Sequence, residues 1–413
     1  MEKHNLEARA AAEAAARQSY GKLVAYLCAR THDVAAAEDA LSEAFAAALA
    51  SWPEKGVPER PEAWLMTVAR NRSIDVIRHR KTASASMTEL EQLFAERQAD
   101  TGETLPDERL GLMFACAHPA IDAAVRAPLM LQAVLGFDAA AIASAFLVRP
   151  AAMGQRLVRA KRRIREAGIP FGVPGRDELP ARLDGVLEAI YAAFAEGWSD
   201  PAGTETKRRS LAGEGIWLGR LVASLLPEEP EALGLLALML FAEARRAARR
   251  GPAGDYVPLA EQDTALWDAR LIEEAEALLR RAGAAGTIGR YQLEAAIQSA
   301  HVARRQGGKT DWPAIVVLYD ALAALSGSPV VAVNRAVALA EAEGAEAGLR
   351  ELDRAAEDRR LADYQPFWAA RAGLLAQRGD GAAADAAYAR AIGLETDEAV
   401  RRFLQQRREA LRR

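Results

Sequence analysis

Residues 63–81 read AWLMTVARNRSIDVIRHRK. The stretch opens with Trp64, Leu65 and Val68, as a helix bound for a core does, and closes with Arg78, His79, Arg80 and Lys81, which no core accepts unpaired. Trp64, Val68, Asn71 and Asp75 fall on one side at i, i+3 and i+4 spacing, with Arg72 at its margin. Asn71 and Asp75 are surface neighbours there, placed to hydrogen-bond. Basic residues in a last turn also complement the helix dipole, so the cationic end by itself has a purely structural reading.

Working outward, helical periodicity runs through almost all of the 413 residues, and strand formers are sparse, so the fold class is all-α. Composition is 51% hydrophobic and 27% charged, that of an ordinary globular chain, and the length suits about three domains of ~150 residues. The longest apolar stretch, Leu235 to Ala242, falls far short of the ~20 residues of a membrane span. The first residues, MEKHNLEARAAAEAAARQ, have no apolar signal core. Two cysteines, Cys28 and Cys116, suit a reducing compartment. The expectation is a cytoplasmic protein with no membrane partner.

Asn5 can cap a first helix reaching about Arg30, and Asp33 a second that Pro53 is expected to stop. Prolines 53, 58 and 61 with Gly56 make a loop before the opening helix. After it, residues 82–106, TASASMTELEQLFAERQADTGETLP, read as an acidic, polar linker. Further helices are expected over residues 107–117, 121–135, 139–146 and 151–167, and "IPFGVPGRDELP" marks a boundary. The expected domains are residues 1–82, a linker at 83–105, residues 106–174, and a larger helical region at 175–413. In the last of these, Leu318, Leu352 and Tyr388, and Ala321, Ala355 and Ala391, recur at spacings of 34 and 36 residues. That is the period of tetratricopeptide helix pairs, although alanine-rich helices also echo by chance.

Net charge is −4, so nothing in bulk signals nucleic acid, but the distribution is uneven. Arg70 to Lys81 carries five basic residues and one acid, Arg149 to Arg165 seven basic residues and no acid, and Glu89 to Glu108 seven acids and one Arg. The second basic cluster lies in FDAAAIASAFLVRPAAMGQRLVRAKRRIREAG, residues 137–168. Asp138 can cap a short helix burying Ile142 and Phe146, and Pro150 suits the first position of the next. Short helix, turn and long helix outline a helix-turn-helix. Wound at 100° per residue, Met153, Leu157, Ala160 and Ile164 fall within about 60° of one another, and Gln155, Arg156, Arg159, Arg162 and Arg163 occupy an arc about 180° to 300° from Met153. One side packs; the other offers guanidinium forks to guanine or phosphate and an amide to adenine.

In this order the motifs resemble a family. DVAAAEDALSEAF, PEAWLMTVARNRSIDVIRHRK and QRLVRAKRRIREAGIPF look like regions 2 and 4 of a bacterial extracytoplasmic-function sigma factor, over about residues 5 to 172. LLALMLFAEARR, LAEQDTALWD, GRYQLEAAIQSAH and SPVVAVNRAVALAEAEG resemble the long tetratricopeptide-like extension of one sigma subgroup.

The resemblance implies that Glu38, Asp39, Leu41, Glu43 and Phe45 dock on the β′ clamp helices of core RNA polymerase, with a further contact to the β flap. It implies that Asn71, Arg72, Asp75, Arg78, Arg80 and Lys81 lie near the melted −10 element, with a flipped base held by the Trp52–Pro61 loop. Gln155, Arg156, Arg159, Arg162 and Arg163 would enter the major groove at −35. At Ala141 the family's usual Glu is missing. No cofactor is implied and the chain is not read as an enzyme; the polymerase does the bond chemistry. The C-terminal region is expected to regulate the rest and to bind a peptide or protein. Two other readings stay open: a helix-turn-helix regulator that works without polymerase, and a scaffold or hydrolase whose work lies in the tail. Cys116 with His118, and Asp184, Glu188 and Glu196, lack the partners that a metal site or an acid–base pair needs, and read as packing and a solvated face.

Overall fold

The computed structural model describes residues 2–80, 107–146, 148–175, 177–198 and 206–411. Nineteen α-helices and no strand occur among them, an all-α fold. The chain forms two compact units, Met1–Glu196 and Gly197–Arg413.

In the first unit α1 (Glu2–Thr31), α2 (Val34–Lys55) and α3 (Pro61–Arg80) pack on one another. Helix α1 begins at Glu2, ahead of the cap expected at Asn5. Asp33 caps α2 as expected, its Oδ1 accepting from Ala36 N at 3.2 Å. Pro53 does not stop α2. It sits in the last turn, and the helix ends only at Gly56, whose φ of 86° closes the turn with its N–H on Trp52 O. Proline removes one N–H and one upstream hydrogen bond; in a final turn the chain has little helix left to lose. Trp52 therefore belongs to the helix and is buried, edge-on to Trp64 at 5.5 Å. This aromatic pair ties the opening helix of the sequence to α2, and Leu65, Met66 and Ala69 complete its buried side.

Helices α4 (Arg109–Cys116), α5 (Ala123–Leu135), α6 (Ala139–Ala145) and α7 (Pro150–Glu166) follow, and α8 (Leu179–Trp198) runs to the end of the unit. They do not form a body separate from the first three helices: α1 packs on α4 and α5, and α2 packs on α7. The approach is close enough that a Cβ on Gly21 of α1 would overlap the Val134 carbonyl of α5. Gly136, left-handed at φ 75°, ends α5 against the Tyr20 ring. The compact unit also runs past residue 174, where a boundary was expected. Arg182 of α8 donates to Phe114 O at 3.2 Å, and Gly185 lies against Ala117 O. Cys116 is fully buried, and His118 Nδ1 accepts from Ala120 N at 3.1 Å, the packing role expected of both.

The second unit holds α9 (Thr206–Leu225), α10 (Pro230–Ala244), α11 (Ala269–Ala284), α12 (Arg290–Val302), the short α13 (Arg304–Gly307), α14 (Trp312–Ser326), α15 (Pro329–Glu343), α16 (Ala345–Ala355), α17 (Gln365–Arg378), α18 (Gly381–Leu394) and α19 (Glu398–Ala410). The apolar run Leu235–Phe241 is buried all round because α10 lies among α9, α11 and α12. From α14 onward each helix packs on the next. Leu352, Tyr388 and Ala391 share one core with Ala355 against it, Leu318 packs on a neighbouring cluster, and Ala321 is exposed. The later two copies of the echo are thus structurally alike and the first is not. His301 meets Trp312 edge-on at 5.4 Å; burial, reinforced by Arg245 and Arg304, pushes its imidazole down to about 4.

Candidate nucleic-acid interface

The interface is built on α6, the turn after it and α7. Asp138 Oδ1 accepts from Ala141 N at 2.7 Å, so the short helix has its cap although Ala141 contributes no side chain to it. Ile142 is fully buried and Phe146 half-buried. Val148 N donates to Ala143 O at 2.9 Å, closing the turn, and Pro150 starts α7 where no N–H partner is needed.

Along α7 the buried side chains are Met153, Leu157, Ala160 and Ile164, the seam given by helical winding. Gln155, Arg156, Arg159, Arg162 and Arg163 are all exposed. Arg162 is within 3.5 Å of Glu166 one turn on, with both side chains more than half exposed, a pair of little strength. This side of α7 is a cationic surface offered to solvent.

Two other bases of the same cluster do something different. Lys161 Nζ pairs with Glu38 Oε2 of α2, and Arg165 with Asp33 Oδ2 at 3.2 Å. The winding separates them from the exposed arc, since they fall about 80° and 120° from Met153, on the opposite flank of the seam. That signal is in the sequence; their acidic partners, in another helix, are not.

The residues expected to meet polymerase divide. Asp39 and Glu43 are exposed and Phe45 is half-buried. Leu41 is fully buried in the core of the unit and presents nothing outward. Glu38 faces α7; burial raises its carboxyl pKa while Lys161 pulls it back, and its Oε1 is buried without a hydrogen-bond partner. Of the −10 set, Asn71 and Arg72 are exposed on α3, and Arg72 Nε lies 3.3 Å from Glu43 Oε2. The side chains of Asp75, Arg78 and Arg80, and the whole of Lys81, lie outside the described residues. So α2 carries acids on two sides, one meeting α3 and one meeting α7.

Residues 16–83, from the middle of α1 to the end of α3, match sigma-70 region 2. A sigma-70 region 2 is therefore present in the first unit. Residues 182–283 match a second family, one of unknown function (DUF6596). An uncharacterized protein of Rhizobium meliloti (strain 1021) is 40% identical over 386 residues, covering 92% of this chain and 90% of the relative. The chain belongs to one family with this relative, and the likeness extends through both units and is not confined to region 2. No solved structure matches it. Among the described residues no helix is long and apolar enough to cross a membrane.

Proposed function

We propose that the protein is a sigma factor of the extracytoplasmic-function type, which directs core RNA polymerase to promoters and carries its own regulatory C-terminal region. The observation that carries this reading is the pairing of a sigma-70 region 2, residues 16–83, with the exposed cationic arc of α7. A polymerase specificity subunit needs contacts at two places on one DNA, and this chain offers two candidate surfaces on different helices. The α6–turn–α7 segment acts as the helix-turn-helix of region 4. Arg156, Arg159 and Arg163 grip phosphate or guanine, and Gln155 reads an adenine edge. At the −10 element, melting means unstacking bases at a few kcal/mol each, and the cationic end of α3 stabilises the opened strand. Asp39, Glu43 and Phe45 offer acidic and apolar surface to polymerase. The stacked helices from α14 to α19 form a tetratricopeptide-like array that binds a peptide or protein and regulates the rest.

Run-off transcription with purified core polymerase on fragments recovered by genomic binding tests the reading. Promoter-dependent transcript that requires the protein is the expected result. Tight, specific duplex binding by the protein alone, with no core binding and no transcript, would instead identify a regulator working without polymerase.

A further inference from the structure

Three stretches singled out in the sequence, LLALMLFAEARR, LAEQDTALWD and GRYQLEAAIQSAH, meet in the second unit. Arg245 follows the last turn of α10, Gln262 and Trp267 lie in the segment that leads to α11, and Gln298 and His301 share a side of α12 at i, i+3 spacing. Arg245 Nε donates to Phe241 O at 3.2 Å and its Nη2 to Gln298 Oε1, which ties the first stretch to the third. Arg304 of α13 gives Nη1 to Ala260 O and Nη2 to Gln262 O, both at 3.0 Å, and its guanidinium lies 4.9 Å from the centre of the Trp267 ring. Arg249, which ends a 3-10 turn over Arg246–Arg249, donates to Trp198 O at 3.0 Å.

Arg245, Arg249 and Arg304 share one property, the kind of partner they have. Each of those acceptors is a neutral oxygen, and none of the three arginines forms an ion pair among the described residues. Their neighbours differ: Arg246 pairs with Glu243 and Arg250 with Asp397. Arg245 is only 9% exposed. Burial, reinforced by the like charges of Arg249 and Arg304, pushes its guanidinium down to about 10, and Arg245 and Arg304 act in the same sense on His301. Asp397 offsets part of this at Arg249. A guanidinium taken out of water costs several kcal/mol unless a counter-charge and hydrogen bonds replace the solvent. Two buried donors beside it, Arg304 Nε and Trp267 Nε1, have no hydrogen-bond partner.

We propose that this cluster binds a small oxyanion, the phosphate group of a phosphate monoester, with Arg245, Arg249 and Arg304 supplying the charge. The inference goes beyond the sigma-factor reading and does not depend on it. Three guanidiniums suit a group with roughly two negative charges and three terminal oxygens better than a monocarboxylate, which leaves most of the charge unmatched. Each planar fork can give two parallel hydrogen bonds to such a group. The depth of Arg245 favours a small molecule over a phosphate carried on a macromolecular surface.

The test is isothermal titration calorimetry of the full-length protein at constant ionic strength, with inorganic phosphate and glycerol phosphate as probes and acetate for comparison. Both phosphate probes should bind saturably, and acetate at least tenfold more weakly. Arg249→Gln and Arg304→Gln should each weaken phosphate roughly tenfold, the loss expected of a charge-assisted hydrogen bond. Arg350→Gln, at an exposed position on α16, should leave the affinity unchanged. Saturating phosphate should raise the melting midpoint of the wild type and leave that of Arg245→Met unmoved. Where Arg245→Met does not fold, the two glutamine variants decide. Absence of saturable binding, acetate as tight as phosphate, or an affinity untouched by the glutamine variants overturns the site. So does phosphate that binds only after Asp200→Asn with Glu205→Gln, two acids outside the described residues, since the guanidiniums would then have carboxylate partners within the chain.

Discussion

Arg159 and Lys161 stand two positions apart on one helix, yet one faces solvent and the other pairs with an acid in another helix. A rotation of 200° accounts for the difference. On the proposed function, Arg159→Ala should weaken duplex DNA binding by ~1–3 kcal/mol if it reads a base, with specificity relaxed at that position. If it touches only phosphate, binding falls evenly across sequences and the salt dependence flattens. Titrations of duplex variants at two salt concentrations separate the outcomes. His301 sets a different expectation. Its native pKa of about 4 lies below the ordinary 6.5, so the unfolded chain takes up the proton first as pH falls. The stability contributed by the neutral ring is complete above pH 6.5 and drains away toward pH 4, by on the order of 3 kcal/mol. Urea denaturation at several pH values should show this slope in the wild type and a shallower one in His301→Gln.

At the scale of an element, α2 shows one residue serving two ends. Asp33 Oδ1 caps the helix through Ala36 N, while Oδ2 takes Arg165. Asp33→Ala should cost about 1 kcal/mol for the cap plus whatever the ion pair adds, whereas Asp33→Asn keeps an acceptor for the cap and loses only the charge. A thermal melt series of wild type, Asn and Ala variants should therefore fall in that order. The cap was legible beforehand, because Asp ahead of an amphipathic run has a local cause. The end of α2 was not: Pro53 is a stop signal in isolation, but its place in the last turn, with Gly56 beyond it, let the helix run on to Lys55. The buried seam of α7 was legible to the residue, since a packed face follows from period alone. Leu41 shows the opposite case. A motif position that resemblance places at polymerase is, by its burial, a core residue here.

For the whole molecule, the division into units predicts how it can be cut. A fragment ending at Glu196 should melt cooperatively, and one ending at Gly175 should melt lower, because it lacks Arg182 on Phe114 O and Gly185 against Ala117. Calorimetry of the two fragments checks this, and equal midpoints would mean that α8 contributes nothing to the first unit. Prolines and glycines at 170–175 look like a domain boundary because turn chemistry is local; whether the next helix returns to the same core depends on surfaces distant in sequence. The sequence by itself determined that the chain is helical, the caps at Asp33 and Asp138 and which side chains of α7 share a face, since each depends on neighbours within about two turns. Only the tertiary structure decided that α7 lies against α2 and that Lys161 and Arg165 spend their charge on Glu38 and Asp33. Coulomb attraction does not choose among the chain's many acids; the close packing of α1 on α5 brings these within reach.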